Sequence, residues 1–319
     1  SAARRNRPLT QGDSLHTERG ARAELQIGSS TLRLDGDSRL EVLRLDDAQV
    51  QLGLDAGALA LRTRAPEVAR EFSIETDAGS FQPLQPGHVR IDARRQSTLA
   101  GVWSGSLRFE AADSTLDLQA GQRAEFWREG NATHYSWVAP GSDAFGEWAQ
   151  TQDRADEREW ARLGQQQLPA EMTGIEDLGR HGVWQTHPEY GAVWQPSGVA
   201  GGWAPYRYGH WAWVAPWGWT WIDDAPWGFA PFHYGRWLQW NGRWAWAPGQ
   251  YVSRPVYAPA LVAWFGGGNA SVGISIGGGP AVGWIPLAPW EPYWPGYYIG
   301  PRYRERIDPR YGERARIPA

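Results

Sequence analysis

Two adjacent carboxylates, Asp223-Asp224, lie among tryptophans in this 319-residue chain, and two acids beside aromatic rings are a setting for glycoside hydrolysis. Neighbouring residues on a strand point to opposite faces, however, and a turn accounts for both acids. Three histidines, His187, His210 and His233, recur every 23 residues. None belongs to a short metal-ligand pair, so they read as the polar edge of a β surface. No G-x-S-x-G nucleophile elbow is present. The glycine runs at 266–268 and 277–279 lack the lysine and spacing that grip phosphate. With no cysteine, there is neither a disulfide nor a thiolate metal site. The residues call for no catalytic centre, no metal and no cofactor, and the chain reads as non-enzymatic.

The elements that carry these residues are sketched by composition. Hydrophobic residues make up 42% and charged residues 21%, which allows a packed core. Net charge is −4 and the pI about 6.0, which gives no reason to expect a nucleic-acid partner. All 31 basic residues are arginine. No apolar run is long enough for a transmembrane helix. The chain opens on SAARRNRP without Met and is expected to be a mature product after signal-peptide removal, periplasmic, extracellular or at the cell surface.

From Thr10 to Trp127 the pattern is one of short strands. Residues 23–27, 31–34, 50–54 and 107–110 alternate apolar with polar. Turns are expected at Gly12-Asp13, Asp35-Gly36, Ala56-Gly57 and Ala120-Gly121. The expectation is an all-β module, a sandwich or roll, over residues 8–128. Its ordered phrases are Gly12-Asp13-Ser14-Leu15, Ala21-Arg22-Ala23-Glu24-Leu25, Leu54-Asp55-Ala56-Gly57-Ala58-Leu59, Phe72-Ser73-Ile74-Glu75-Thr76, Val102 to Leu107, and Leu118 to Ala124. In this order they resemble the periplasmic FecR domain. That resemblance implies a β-rich envelope module and not the signalling role, in which a cytoplasmic segment and a membrane helix precede the domain.

From Asp143 to Leu163 the texture is charged and glycine-poor. Phe145, Trp148, Ala149, Gln152, Ala155 and Leu163 form a helical stripe, which predicts a connecting helix or linker over 141–170.

Eleven of the 22 tryptophans then fall between Trp203 and Trp246, and WAPYRYGHW (203–211) returns 26 positions later as FAPFHYGRW (229–237). Trp-x-Trp pairs set both rings on one strand face, and Asn241-Gly242 signals a tight hairpin. A Trp-rich meander of short β-hairpins is expected over 178–300, followed by a charged tail at 301–319. Val272 to Gly277 reads as an exposed hairpin edge. The tryptophans, the YG-x-W phrases, Pro255 to Val262, Val282 to Pro289, Tyr293 and Tyr303 resemble a bacterial family of unknown function often found behind a FecR-like domain. Trp290-Glu291 departs from the charged pair usual there. The resemblance implies an exported envelope protein and supplies no reaction.

Most rings are expected to form a core. Those beside turns, Tyr206, Tyr208, Trp217, Trp219 and Trp227, are the candidates for exposure. Arg207, Arg236 and Arg243 stand next to rings and suit cation–π contacts or sugar hydroxyls. The expected role is structural or scaffolding, through self-association or an envelope protein partner. The alternative is a polysaccharide- or peptidoglycan-binding module, and a glycan-acting enzyme comes last.

Overall fold

The computed structural model describes residues 4–46, 48–163, 168–249, 252, 254–265, 274–275, 283–295, 297 and 307. The fold is all-β and divides into two units. One holds Leu9–Glu157, and the other holds Ser1–Pro8 with Arg158–Ala319.

The first unit is one sheet of 11 strands. They are β1 (Ser14–His16), β2 (Ala23–Ile27), β3 (Ser30–Leu34), β4 (Arg39–Leu45), β5 (Val50–Thr63), β6 (Phe72–Glu75), β7 (Ser80–Ala93), β8 (Thr98–Ala111), β9 (Ser114–Gln119), β10 (Arg123–Glu129) and β11 (Ala132–Trp137). A one-turn helix α1 (Pro66–Ala69) joins β5 to β6, the one parallel pair among otherwise antiparallel neighbours. One face carries the core: Leu32 and Leu34, Leu59 and Leu61, Val89 and Ile91, with Phe81, Phe109 and Phe126. The alternation predicted over 31–34 and 107–110 places Leu32, Leu34 and Phe109 here, and the same period of two sets the others, because every second side chain shares a face.

The turn expected at Ala56-Gly57 is not a turn. Gly57 lies inside β5 with φ +88°, at a bulge where Arg39 pairs with Ala56 but Leu40 with Leu54. A side chain there would overlap Ser38, whose Oγ accepts from the Ala58 amide at 3.0 Å. A long strand bends at this glycine instead of reversing.

The charged, glycine-poor segment forms helix α2 (Ala144–Leu163), as predicted. Its first fourteen residues belong to the first unit, where Phe145 and Ala149 bury against Ala58 and Ala60 on the sheet's other face.

The second unit takes in the end of α2, a short helix α3 (Leu178–His181), and three small sheets. The first has order β12-β13-β17-β16, formed by β12 (Gly182–His187), β13 (Gly191–Pro196), β16 (Arg236–Trp240) and β17 (Arg243–Ala247). The second is the hairpin β14 (Gly209–Val214) with β15 (Gly218–Asp223). The third joins β18 (Val262–Phe265) to β19 (Ile274–Ser275) and β20 (Gly283–Pro286). A short helix α4 (Ala230–His233) precedes β16. Asn241 and Gly242 both have positive φ, +51° and +71°, and close the predicted hairpin between β16 and β17. The glycine runs at 266–268 and 277–279 lie outside the described residues. So does the tail except Ile307, and so does Tyr303. No described helix is long and apolar enough to cross a membrane.

Candidate aromatic surface of the second unit

The tryptophans are arranged as rungs across strands. In the four-stranded sheet Trp184 pairs with Trp194, Trp194 with Trp246, and Trp246 with Trp237, a row on one face. Trp194, Trp246 and Trp237 are buried, and their indole N–H groups donate to the carbonyls of Leu178 (3.0 Å), Tyr234 (2.8 Å) and Pro231 (2.9 Å). Gly182 has no side chain because the Trp194 ring occupies that space. Met172, Ile175, Leu178, Phe232 and Trp227 complete the core.

The repeated phrase has a structural meaning. Its fourth residues, Tyr206 and Phe232, meet edge-to-face at 4.9 Å. The Tyr206 hydroxyl donates to the Phe232 carbonyl at 2.7 Å and accepts from the Leu261 amide at 3.0 Å. The two copies therefore pack against each other through equivalent rings. Burial pushes the Tyr206 hydroxyl pKa well above its ordinary value. Tyr206 was expected exposed and is buried, because its ring is half of this contact. Trp227 was expected exposed and is also buried, between Trp194 (4.9 Å) and Trp203 (5.7 Å).

The hairpin β14–β15 carries two rungs on one face, Trp211 opposite Trp221 and Trp213 opposite Trp219. The inner rung joins Trp264 and Trp284, at 4.5 and 5.4 Å from Trp211. The outer rung stands at the turn end: Trp213 is 69% exposed and meets Trp219 edge-to-face at 5.8 Å. Trp219 and Trp217 are half-buried, and Trp217 lies 4.7 Å from Tyr257. Sequence reasoning missed Trp213. The available signal was its place in the last Trp-x-Trp pair before a Pro-Trp-Gly turn.

The remaining candidates do not converge. Tyr208 is exposed at the hairpin's base, with the Arg207 guanidinium 5.9 Å from its ring. Half-buried Arg236 donates to the Gly235 carbonyl at 2.8 Å. Exposed Arg243, beside the Asn-Gly turn, donates to the Pro196 carbonyl at 3.0 Å.

Of the residues considered for catalysis and metal binding, Asp223, His187 and His233 bond within the fold. Asp223 is buried at the end of β15, its oxygens accepting from Trp221 Nε1 at 3.0 Å and the Ala225 amide at 2.9 Å. Burial pushes its carboxyl up to about 7 despite these donors, and Asp224 adds to the rise. Asp224 is exposed. Asn6 braces the same turn, donating to the carbonyls of Asp223 and Ala225 at 2.8 and 2.7 Å. His187 Nδ1 accepts from the Glu189 and Tyr190 amides at 3.1 and 3.2 Å. His233 overturns the expectation of a polar edge. It is wholly buried on α4, with Nδ1 at 2.7 Å from the Ala258 carbonyl, and burial pulls its pKa down to about 4. Among the described residues no group of three or more His, Asp or Glu is placed to hold a metal ion.

No curated protein matches the chain. Two crystal structures of a proposed anti-sigma factor from Parabacteroides distasonis ATCC 8503 are similar to it. One has 8% identity and TM-score 0.35, the other 9% and 0.34. In each case the match covers 40% of this chain and 60% of the other. Residues 13–108 match the FecR protein family, and residues 175–299 match a family of unknown function, DUF6600.

Proposed function

We propose that this is a non-enzymatic protein of the bacterial envelope, whose Trp-rich unit presents an aromatic β surface for assembly with a protein partner. The FecR match supports the envelope setting. The outer rung carries the assembly reading. The inner rung and the four-stranded row pack into the core, whereas Trp213 stands 69% exposed on a paired strand, its ring edge-to-face with Trp219. Large exposed aromatics on a rigid element are the usual anchors of interfaces. No reaction is assigned, since Asp223 serves its own turn through Trp221 and Ala225.

Light scattering on the size-exclusion peak over rising concentration tests the reading. Association that Trp213→Ala weakens is expected; a strict monomer at high concentration, with no partner recovered, overturns it. A second reading, polysaccharide binding, draws on the same exposed indole, a platform on which sugar faces stack. It predicts a tryptophan fluorescence change on titration with cell-wall or extracellular polysaccharide, absent in Trp213→Ala.

A further inference from the structure

The face of the first sheet under α2 gathers basic side chains, with two acids among them: Glu24, and Asp92, which holds Arg90 at 2.7 Å. Arg33 on β3, Arg62 on β5, and His88 and Arg90 on β7 share it, set by two rows of the register: Arg33 beside Ala60 beside Arg90, and Arg62 beside His88. Arg33 and Arg62 have side chains only 2% and 3% exposed. Their partners come mainly from the helix. Asp153 bonds Arg33 directly, lies 3.0 Å from His88 Nδ1, and sits 3.4 Å from Arg62 Nε. Asp156 takes Arg33 Nη2 at 2.7 Å and faces Arg62 Nη2 at 3.6 Å. Asp143 caps the helix by accepting from the Gly146 amide at 2.8 Å, and it grips Arg90 with both oxygens at 2.6 and 2.8 Å. Glu24, on β2, adds a partner to Arg33 at 2.7 Å.

The apolar part of this contact is small: Phe145 and Ala149 on Ala58 and Ala60, flanked by Trp103 and Trp148. Charge therefore sets how the helix docks. Buried ion pairs add little net stability over an apolar contact, but they enforce a partner and a register. The chain enters the helix through residues 139–144, an exposed run containing Pro140-Gly141. A helix held this way is suited to local opening without loss of the sheet beneath it.

We propose that the basic strip Arg33–Arg62–His88–Arg90 is a recognition site for an acidic helix of a partner protein, and that α2 fills it as an internal stand-in. The helix recognised opens on a capping Asp and carries carboxylates ten and thirteen residues further on, the spacing of Asp143, Asp153 and Asp156. A tethered occupant acts at an effective concentration in the millimolar range, so a partner binds at an apparent affinity lowered by the fraction of copies that are open. The proposal is independent of the aromatic surface on the second unit.

The test uses the full chain, a labelled peptide of residues 141–163, and native-state hydrogen exchange. In D153A/D156A, exchange across 144–157 should accelerate at least tenfold while the amides of β7 stay protected. That variant should bind the peptide at least tenfold more tightly than the wild type, and a peptide carrying the same two substitutions should not bind. D143A, altered at the exposed end of the strip, should show both effects in smaller measure and guards against a double variant that fails to fold. Unchanged exchange in D143A and any folded double variant overturns the proposal, because the ions would not be what holds the helix. A released helix with no peptide binding overturns it equally.

Discussion

Two buried groups in the Trp-rich unit should oppose each other in acid, and each should hide the other in the wild type. Asp223 has its carboxyl raised to about 7, against an ordinary value near 4 in the unfolded chain. Between pH ~4 and ~7 the native state holds this proton and the unfolded chain has released it. Its contribution is complete below pH ~4 and is lost as pH rises to ~7, at about 1.4 kcal/mol per pH unit. His233 is drawn down to about 4 from an ordinary value near 6.5. Between pH ~4 and ~6.5 the unfolded chain binds this proton and the native state does not. Its contribution is complete above pH ~6.5 and is lost as pH falls to ~4, again at about 1.4 kcal/mol per unit. The two slopes cancel over most of the window. Asp223→Asn, which keeps a side-chain oxygen for the Trp221 or Ala225 donor, should leave a profile that rises with pH by about 3 kcal/mol. His233→Phe should leave one that falls by about 4 kcal/mol. Urea unfolding followed by tryptophan fluorescence, at half-unit steps from pH 4 to 7.5, measures both. Profiles of the same sign in the two variants, or no difference from wild type, would refute the reasoning.

Other substitutions test the packing. Asp153→Ala strands two guanidiniums that are almost fully buried, Arg33 and Arg62, and should cost about 3 kcal/mol in urea unfolding of the first unit. Asp117→Ala, which breaks the exposed pair with Arg108, should leave urea unfolding of the first unit close to wild type. Gly57→Ala places a side chain at φ +88° against Ser38 and should cost upwards of ~2 kcal/mol, read as a lower thermal midpoint.

What the sequence made legible follows from periodicity. Alternation located β2, β3, β5 and β8, the helical stripe located α2, and Asn241-Gly242 located a hairpin turn. All of these are decided within a few residues of chain. The ionic strip was not legible, because Arg33 and Asp153 are 120 positions apart and a charged residue on a helix reads as solvated until its neighbour across the fold is known. Asp153 in fact lies on the buried side, one residue from Gln152 of the predicted stripe. Tyr206 is matched by Phe232 in the second copy of the repeat, and a position that accepts a ring without a hydroxyl is a core position. Tyr208 is matched by Tyr234, yet Tyr208 is exposed and Tyr234 buried, so the equivalence does not carry through the phrase. His233 matches Arg207 in the same way, the first buried and the second exposed.

Why this unit uses tryptophan where other β units use aliphatics can be argued from its sheets, which have four, two and three strands. Sheets so small leave many backbone carbonyls outside any ladder, and a buried carbonyl without a donor is costly. An indole fills core volume and also brings one N–H. Trp194, Trp237, Trp246 and Trp284 donate to the carbonyls of Leu178, Pro231, Tyr234 and Tyr206, all in loops, turns or short helices. Phenylalanine would supply the ring without the donor. Trp246→Phe should therefore cost about 1–3 kcal/mol for the abandoned Tyr234 carbonyl, in addition to the lost volume. Trp213→Phe, on the exposed rung, should stay within ~0.5 kcal/mol of wild type. If the buried and exposed replacements prove equally mild in urea unfolding, the indole N–H groups are incidental, and the tryptophans serve this fold by size alone.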